Sequence, residues 1–322
     1  MNRKISSSAI AMAVALSVVS NAASADIIDE IKAKYAETVA NARSACSGIS
    51  GGLDDIKIAA GISTVASGAG TLAAGGALVT GVMKAKADRE AEALQEGVTT
   101  EESRALYEKY KTSMTPQEKD ALTSGELLMI AYEMRADLDK KSRTLGNVRT
   151  GLMIGASVTS AASTVSSAIG ASQIDKLIGN MQDCDKYVNE IKMLKLSLLQ
   201  EGQPETDPVV VEVSRIESLC TGFDIGNIRT IKGMLTGSAV VSGVGTLSGI
   251  AGSITSGIAN SKKTRGDDSD AGKKKEKNLN LAANITAGIT TGTSAASTVL
   301  SGVTLNKLKE NSEVADKCGK AF

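Results

Sequence analysis

Four cysteines, Cys46, Cys184, Cys220 and Cys318, are the residues of this 322-residue chain whose type and placement allow covalent chemistry. None lies in a C-x-x-C pair and the chain has no histidine, so a metal set would reduce to four widely spaced thiolates. Two disulfides are the expectation, and no metal. The missing histidine also removes the side chain that most often transfers protons near neutral pH, and no Ser-x-x-Lys offers a hydroxyl nucleophile instead. The carboxylate pairs Asp54-Asp55, Glu101-Glu102 and Asp267-Asp268 read as solvated charge on caps, helix turns or a loop.

Two patterns imitate cofactor or metal motifs. Gly68-Ala69-Gly70-Thr71-Leu72-Ala73 fits G-x-G-x-x-A, but it falls inside a helical repeat with no strand before it, so it carries no dinucleotide turn. Asp267 to Gly272 is dense in acids, yet Ala271 stands where a calcium loop needs a ligand and no Glu closes the loop. The expectation is a protein without catalytic residues, cofactor, metal or small-molecule substrate. Acidic and basic residues number 36 each, so no net charge draws the chain toward nucleic acid.

The elements carrying the cysteines are helices. The chain opens with Asn2-Arg3-Lys4, an apolar run from Ala9 to Val19 and an A-x-A site at Ala23-Ser24-Ala25, the three parts of an export signal over residues 1–25. That places the mature protein in a periplasm or cell envelope, where disulfides form. Beyond it, one helical unit is used twice. Val65, Ser67, Gly68, Gly70, Thr71 and Leu72 recur as Val240, Ser242, Gly243, Gly245, Thr246 and Leu247. Ser160-Ala161-Ala162-Ser163-Thr164-Val165 recurs as Ser294-Ala295-Ala296-Ser297-Thr298-Val299, and in that register Cys184 falls on Cys318.

Ile58, Ile62, Val65, Ala69, Leu72, Gly76, Val79 and Met83 alternate steps of four and three, the spacing of a bundle seam. Val240, Val244, Leu247, Ala251, Ile254 and Ile258 repeat it in the second copy. These stripes are expected to be the buried ones. Gly151 and Gly155, Gly233 and Gly237, Gly245 and Gly249, and Gly288 and Gly292 stand at the four-residue spacing that lets helices pack closely.

The fold expected is all-α, an elongated bundle of two duplicated helical hairpins with Gly, Ala and Ser-rich seams. The first unit spans 26–200 with a connector over 84–149, where Thr115-Pro116-Gln117-Glu118 forms a capping box. A linker follows at 201–208, then a second unit at 209–322 with a short, charged and flexible loop over 261–277. Antiparallel packing within each hairpin brings Cys46 beside Cys184 and Cys220 beside Cys318. The competing pairing, Cys184 with Cys220 and Cys46 with Cys318, would close the molecule into a ring.

Four stretches, 58–83, 151–174, 233–260 and 278–306, hold no charge and are long enough to cross a bilayer. Their Gly, Ser and Thr content argues against insertion. The leading expectation is accordingly a soluble or peripheral structural protein of the envelope, bound to an unidentified protein partner or to itself through the 84–149 connector. The alternative is an oligomeric, membrane-inserting protein. The composition resembles glycine-zipper segments of bacterial envelope and pore-forming proteins, with Gly233, Gly237, Gly245 and Gly249 nearest that pattern; this likeness covers only the helices.

Overall fold

A computed structural model describes residues 21–95, 108, 124–265 and 269–322. Residues 1–20 of the expected export signal, the capping box and most of the connector's middle lie outside them. The chain is all-α: α1 (Asn21–Gln95), α2 (Ser124–Gln200), α3 (Pro208–Leu219), α4 (Ile225–Ala259), α5 (Lys262–Arg265) and α6 (Asp270–Gly319). No proline interrupts α1, α2, α4 or α6. Breaks fall where turn chemistry demands them. Gly202 and Gly222 take positive φ in the turns flanking α3. Asp207 caps α3 by accepting the Val209 N–H at 2.8 Å, and Pro208 fills the first turn.

Within the charged 261–277 segment, residues 261–265 and 269–277 are described. Helix α5 covers part of it, and Ser269 then opens α6, its hydroxyl accepting the Gly272 N–H at 3.1 Å. With that cap in place, Asp270 stands in the first turn and the lysine run continues as helix.

The helices build two compact units, and each unit draws on both halves of the chain. Unit 1 comprises residues up to Lys57, Ala171–Lys232 and Asn306–Phe322. Its buried side chains are mostly large and aliphatic: Ile49, Leu53 and Ile56 from α1, Leu177, Met181 and Ile191 from α2, Val213 and Ile216 from α3, Ile228 and Ile231 from α4, and Leu308 from α6. Both cross-links lie here. Cys46–Cys184 and Cys220–Cys318 are disulfides with Cα–Cα separations of 4.9 and 4.4 Å, the hairpin pairing rather than the ring.

Unit 2 comprises Ile58–Gly170 and Gly233–Leu305. Along α1 the buried positions continue in the same alternation, Ala42, Cys46, Ile49, Leu53, Ile56, Ala60, Ser63, Ser67, Gly70, Ala74, Ala77, Gly81 and Lys84, but beyond Ile56 the residue types become small. The change recurs in the other helices, at Ser160, Ser163, Ser167 and Gly170 of α2, Ser238, Ser242 and Gly245 of α4, and Thr290, Ser294, Ser297, Ser301 and Thr304 of α6.

The aliphatic stripes expected to be buried lie on the outside instead. Ile58, Ile62, Val65, Leu72, Val79 and Met83 are between 51% and 80% exposed, and Val240, Val244, Leu247, Ile254 and Ile258 between 43% and 71%. The reason is steric. Each helix carries two stripes of seam spacing, and only the small one allows four backbones to converge on a common axis.

Candidate functional site

The centre of unit 2 is a cluster of buried hydroxyls. Ser63 Oγ lies 2.8 Å from Ser163, Ser167 and Ser301 Oγ and 3.5 Å from Ser238 Oγ. Ser238 reaches Ser167, Ser297 and Ser301 at 2.7–3.0 Å, while Ser163, Ser242 and Ser297 are linked to one another at 2.7–3.1 Å. These contacts join every pair among α1, α2, α4 and α6. Diagonal as well as adjacent helices therefore meet, which needs side chains no larger than serine.

Corresponding residues of the two copies make corresponding contacts: Ser63 to Ser163 is matched by Ser238 to Ser297, and Ser63 to Ser167 by Ser238 to Ser301. Gly70 and Gly245, equivalent in the two copies, sit at matching close approaches. A Cβ on Gly70 would stand 2.9 Å from Thr159 Oγ1, and one on Gly245 would stand 2.7 Å from Thr293 Oγ1. Each hydroxyl can donate one proton and accept others, so these serines satisfy one another's buried oxygens.

The exterior of unit 2 along its uncharged stretches has the opposite chemistry. Within 58–83 the exposed positions are Ile58, Ile62, Val65, Ala69, Leu72, Val79, Val82 and Met83. Within 278–306 they are Leu281, Ile285, Gly288, Ile289, Gly292, Ala296, Val299 and Val303, with an Asn at each end of the stretch. The stretches in α2 and α4 follow the same rule, with Ser172 and Thr236, near the ends, as the hydroxyls among their exposed positions. Three of the helices, over Asp26–Leu94, Met129–Gln200 and Ile225–Ala259, are long and apolar enough to cross a membrane.

One border of the uncharged stretches is a buried charge cluster. Lys84, 2% exposed, bridges Asp88 at 2.6 Å and Glu276 at 3.3 Å. Arg265 pairs with the same two acids at 3.2 and 3.5 Å, and Ser142 contacts both Asp88 and Arg265. Arg149 is fully buried beside them, donating from Nη2 to the Asn280 carbonyl at 3.4 Å.

Among the residues singled out in the sequence, Gly245 and Gly249 face neighbouring side chains closely, and Gly237 approaches Leu300 at ordinary contact distance. Gly151, Gly155, Gly233, Gly288 and Gly292 face open space. In unit 1, sulfur atoms of Cys46, Cys184 and Cys318 lie within 4.8 Å of one another, but each is committed to a disulfide and offers no thiolate. Sequence reasoning missed the serine cluster and the Lys84–Asp88–Arg265–Glu276 group. The former had a visible signal, the recurrence of serines in both copies at seam spacing. No known family model, curated protein or solved structure matches this chain.

Proposed function

We propose that the four uncharged stretches of unit 2 cross a lipid bilayer together, the stretch of α6 packed against the three helices that are apolar enough to cross by themselves, and that the protein is a non-catalytic structural component of the cell envelope. The observation that carries this reading is the distribution of side chains: Ile, Val, Leu and Met outside, Ser, Thr, Gly and Ala inside. In water such an exterior would leave an apolar surface far larger than soluble proteins expose. In lipid it costs nothing, and the hydroxyls that weaken insertion of each stretch alone are hidden against each other.

Lys84, Asp88, Arg265 and Glu276 fit the same picture, since ionisable groups at the edge of a membrane-embedded region are paired and turned inward; Arg149 is turned inward too, with Nε and Nη1 unpartnered among the described residues. The lysine-rich start of α6 then belongs to the cytoplasmic leaflet by the positive-inside tendency, and the disulfides to an oxidising compartment. Fractionation of the native host tests the reading. The chain is expected in the carbonate-washed membrane pellet and to float with vesicles; recovery in osmotic-shock fluid would overturn it. Leu72→Lys with Leu247→Lys, two changes on the outer face, should reduce recovery in the pellet sharply, because a lysine near the middle of a crossing costs about 3 kcal/mol.

A further inference from the structure

We infer that the first turns of α6 form a docking site for an anionic phospholipid, an inference that rests on the membrane reading above. Lys273, Lys274, Lys275 and Lys277 are all exposed. Of the two acids in these turns, Glu276 turns inward to Lys84 and Arg265 at 3.3 and 3.5 Å, and Asp270 makes no ion pair with the lysines among the described residues. Among the described residues, none of the four lysines has an ion-pair partner.

The surface beside them is a groove of about 440 Å³ lined by Ala271, Lys274, Lys275, Asn278 and Leu279. Two ammonium groups and an amide therefore adjoin an apolar floor, on the face of one helix. The uncharged stretch starts at 278, and its outer ridge continues through Leu281, Ile285 and Ile289, 58%, 55% and 43% exposed. A glycerophospholipid has this same order of chemistry, an anionic phosphate followed by an acyl chain. The lysines take the phosphate, Asn278 can donate to the glycerol or ester oxygens, and the chain lies on the ridge. A free phosphate would satisfy only the lysines and leave the ridge unused.

The full-length, disulfide-bonded protein, extracted in mild detergent with equimolar phosphatidylglycerol and phosphatidylcholine, is examined by native mass spectrometry for retained lipid. Phosphatidylglycerol should be retained preferentially. Lys274→Gln with Lys275→Gln should lower that preference roughly 10-fold or more, from the loss of two surface cations beside an anionic headgroup. Arginine at both positions should restore it, while glutamine at Lys176 and Lys186 should leave it unchanged. Circular dichroism of each variant separates loss of the site from loss of fold.

Equal retention of both lipids by a protein that still partitions into membranes would overturn the docking site and leave the membrane reading standing. Failure to enter membranes at all would overturn the membrane reading itself. Displacement of the retained lipid by inorganic phosphate as readily as by added phosphatidylglycerol would show that the lysines read a free anion, and would overturn the lipid assignment.

Discussion

Units 1 and 2 are built from the same four long helices and the same alternating seam, yet they bury opposite chemistry. In unit 1 the seam carries Ile, Leu, Val and Met, and the exterior carries most of the charge, including ion pairs such as Lys192–Glu217 at 2.8 Å and Lys232–Asp175 at 2.7 Å. In the uncharged stretches of unit 2 the seam carries Ser, Gly and Ala and the exterior is aliphatic. Helix periodicity decides which positions share a face, but not which face is inside. That choice belongs to side-chain size and to the medium, and the two units answer it differently within single helices.

The largest effect expected follows from the cross-links of unit 1. Each disulfide closes a long loop, with sequence separations of 138 and 98, so Cys220→Ser with Cys318→Ser should lower the stability of unit 1 by about 4 to 5 kcal/mol on the chain-entropy model. Denaturant titration followed by proteolysis of unit 1 measures it. A loss below about 1 kcal/mol would mean that the unfolded chain is already held compact by other contacts.

Next comes a pair of identical substitutions. Leu53→Ala removes a fully buried side chain from unit 1 and should cost about 2 to 5 kcal/mol, whereas Leu72→Ala alters an outer position of unit 2 and should change stability by less than about 0.5 kcal/mol. Equal costs would erase the contrast between the units. Ser63→Leu tests the seam of unit 2 from the other side. A larger side chain at the point where Ser163, Ser167 and Ser301 converge should cost roughly 1 to 3 kcal/mol, read by thermal melting in detergent.

The smallest effect expected is the pH dependence of unit 1. The Lys192 ammonium bonded to Glu217 holds that carboxyl below its ordinary value, with Lys195 assisting against partial burial. Asp207 is also lowered: burial works against ionisation, but the hydrogen bonds from Lys32 and the Val209 N–H outweigh it. A carboxyl whose folded pKa is depressed adds stability above its unfolded pKa and loses it as pH falls through the folded value. Unit 1 should therefore weaken below about pH 4, and Glu217→Gln should flatten that part of the profile. An unchanged profile in the variant would remove the Lys192–Glu217 pair from the account.

Much of this was legible in the residues. The all-helical class followed from long uninterrupted periodicity, and the hairpin pairing of the cysteines from antiparallel packing. The inversion of unit 2 was not. On α1 the stripe through Ile58, Ile62 and Val65 and the stripe through Ala60, Ser63 and Ser67 have the same spacing, and hydrophobicity alone selects the wrong one as buried. One mark pointed the other way. Extended along the helix, the small stripe joins Cys46, Ile49, Leu53 and Ile56 without a change of register, whereas the aliphatic stripe does not. Both stripes recur in the second copy, Ser67 as Ser242 and Val65 as Val240, so the continuity with Cys46 is the mark that separates them. The Lys84–Asp88–Arg265–Glu276 group could not be read from sequence, because it joins residues separated by up to 192 positions.

In the membrane reading, the pairing of two stretches per copy fixes how the copies are related. A segment that crosses a bilayer an even number of times returns to the side on which it started. Fusing two such hairpins end to end therefore gives both the same orientation, with no need to invert one. The axis relating Ser63 to Ser238 and Ser163 to Ser297 then runs along the bilayer normal rather than in its plane.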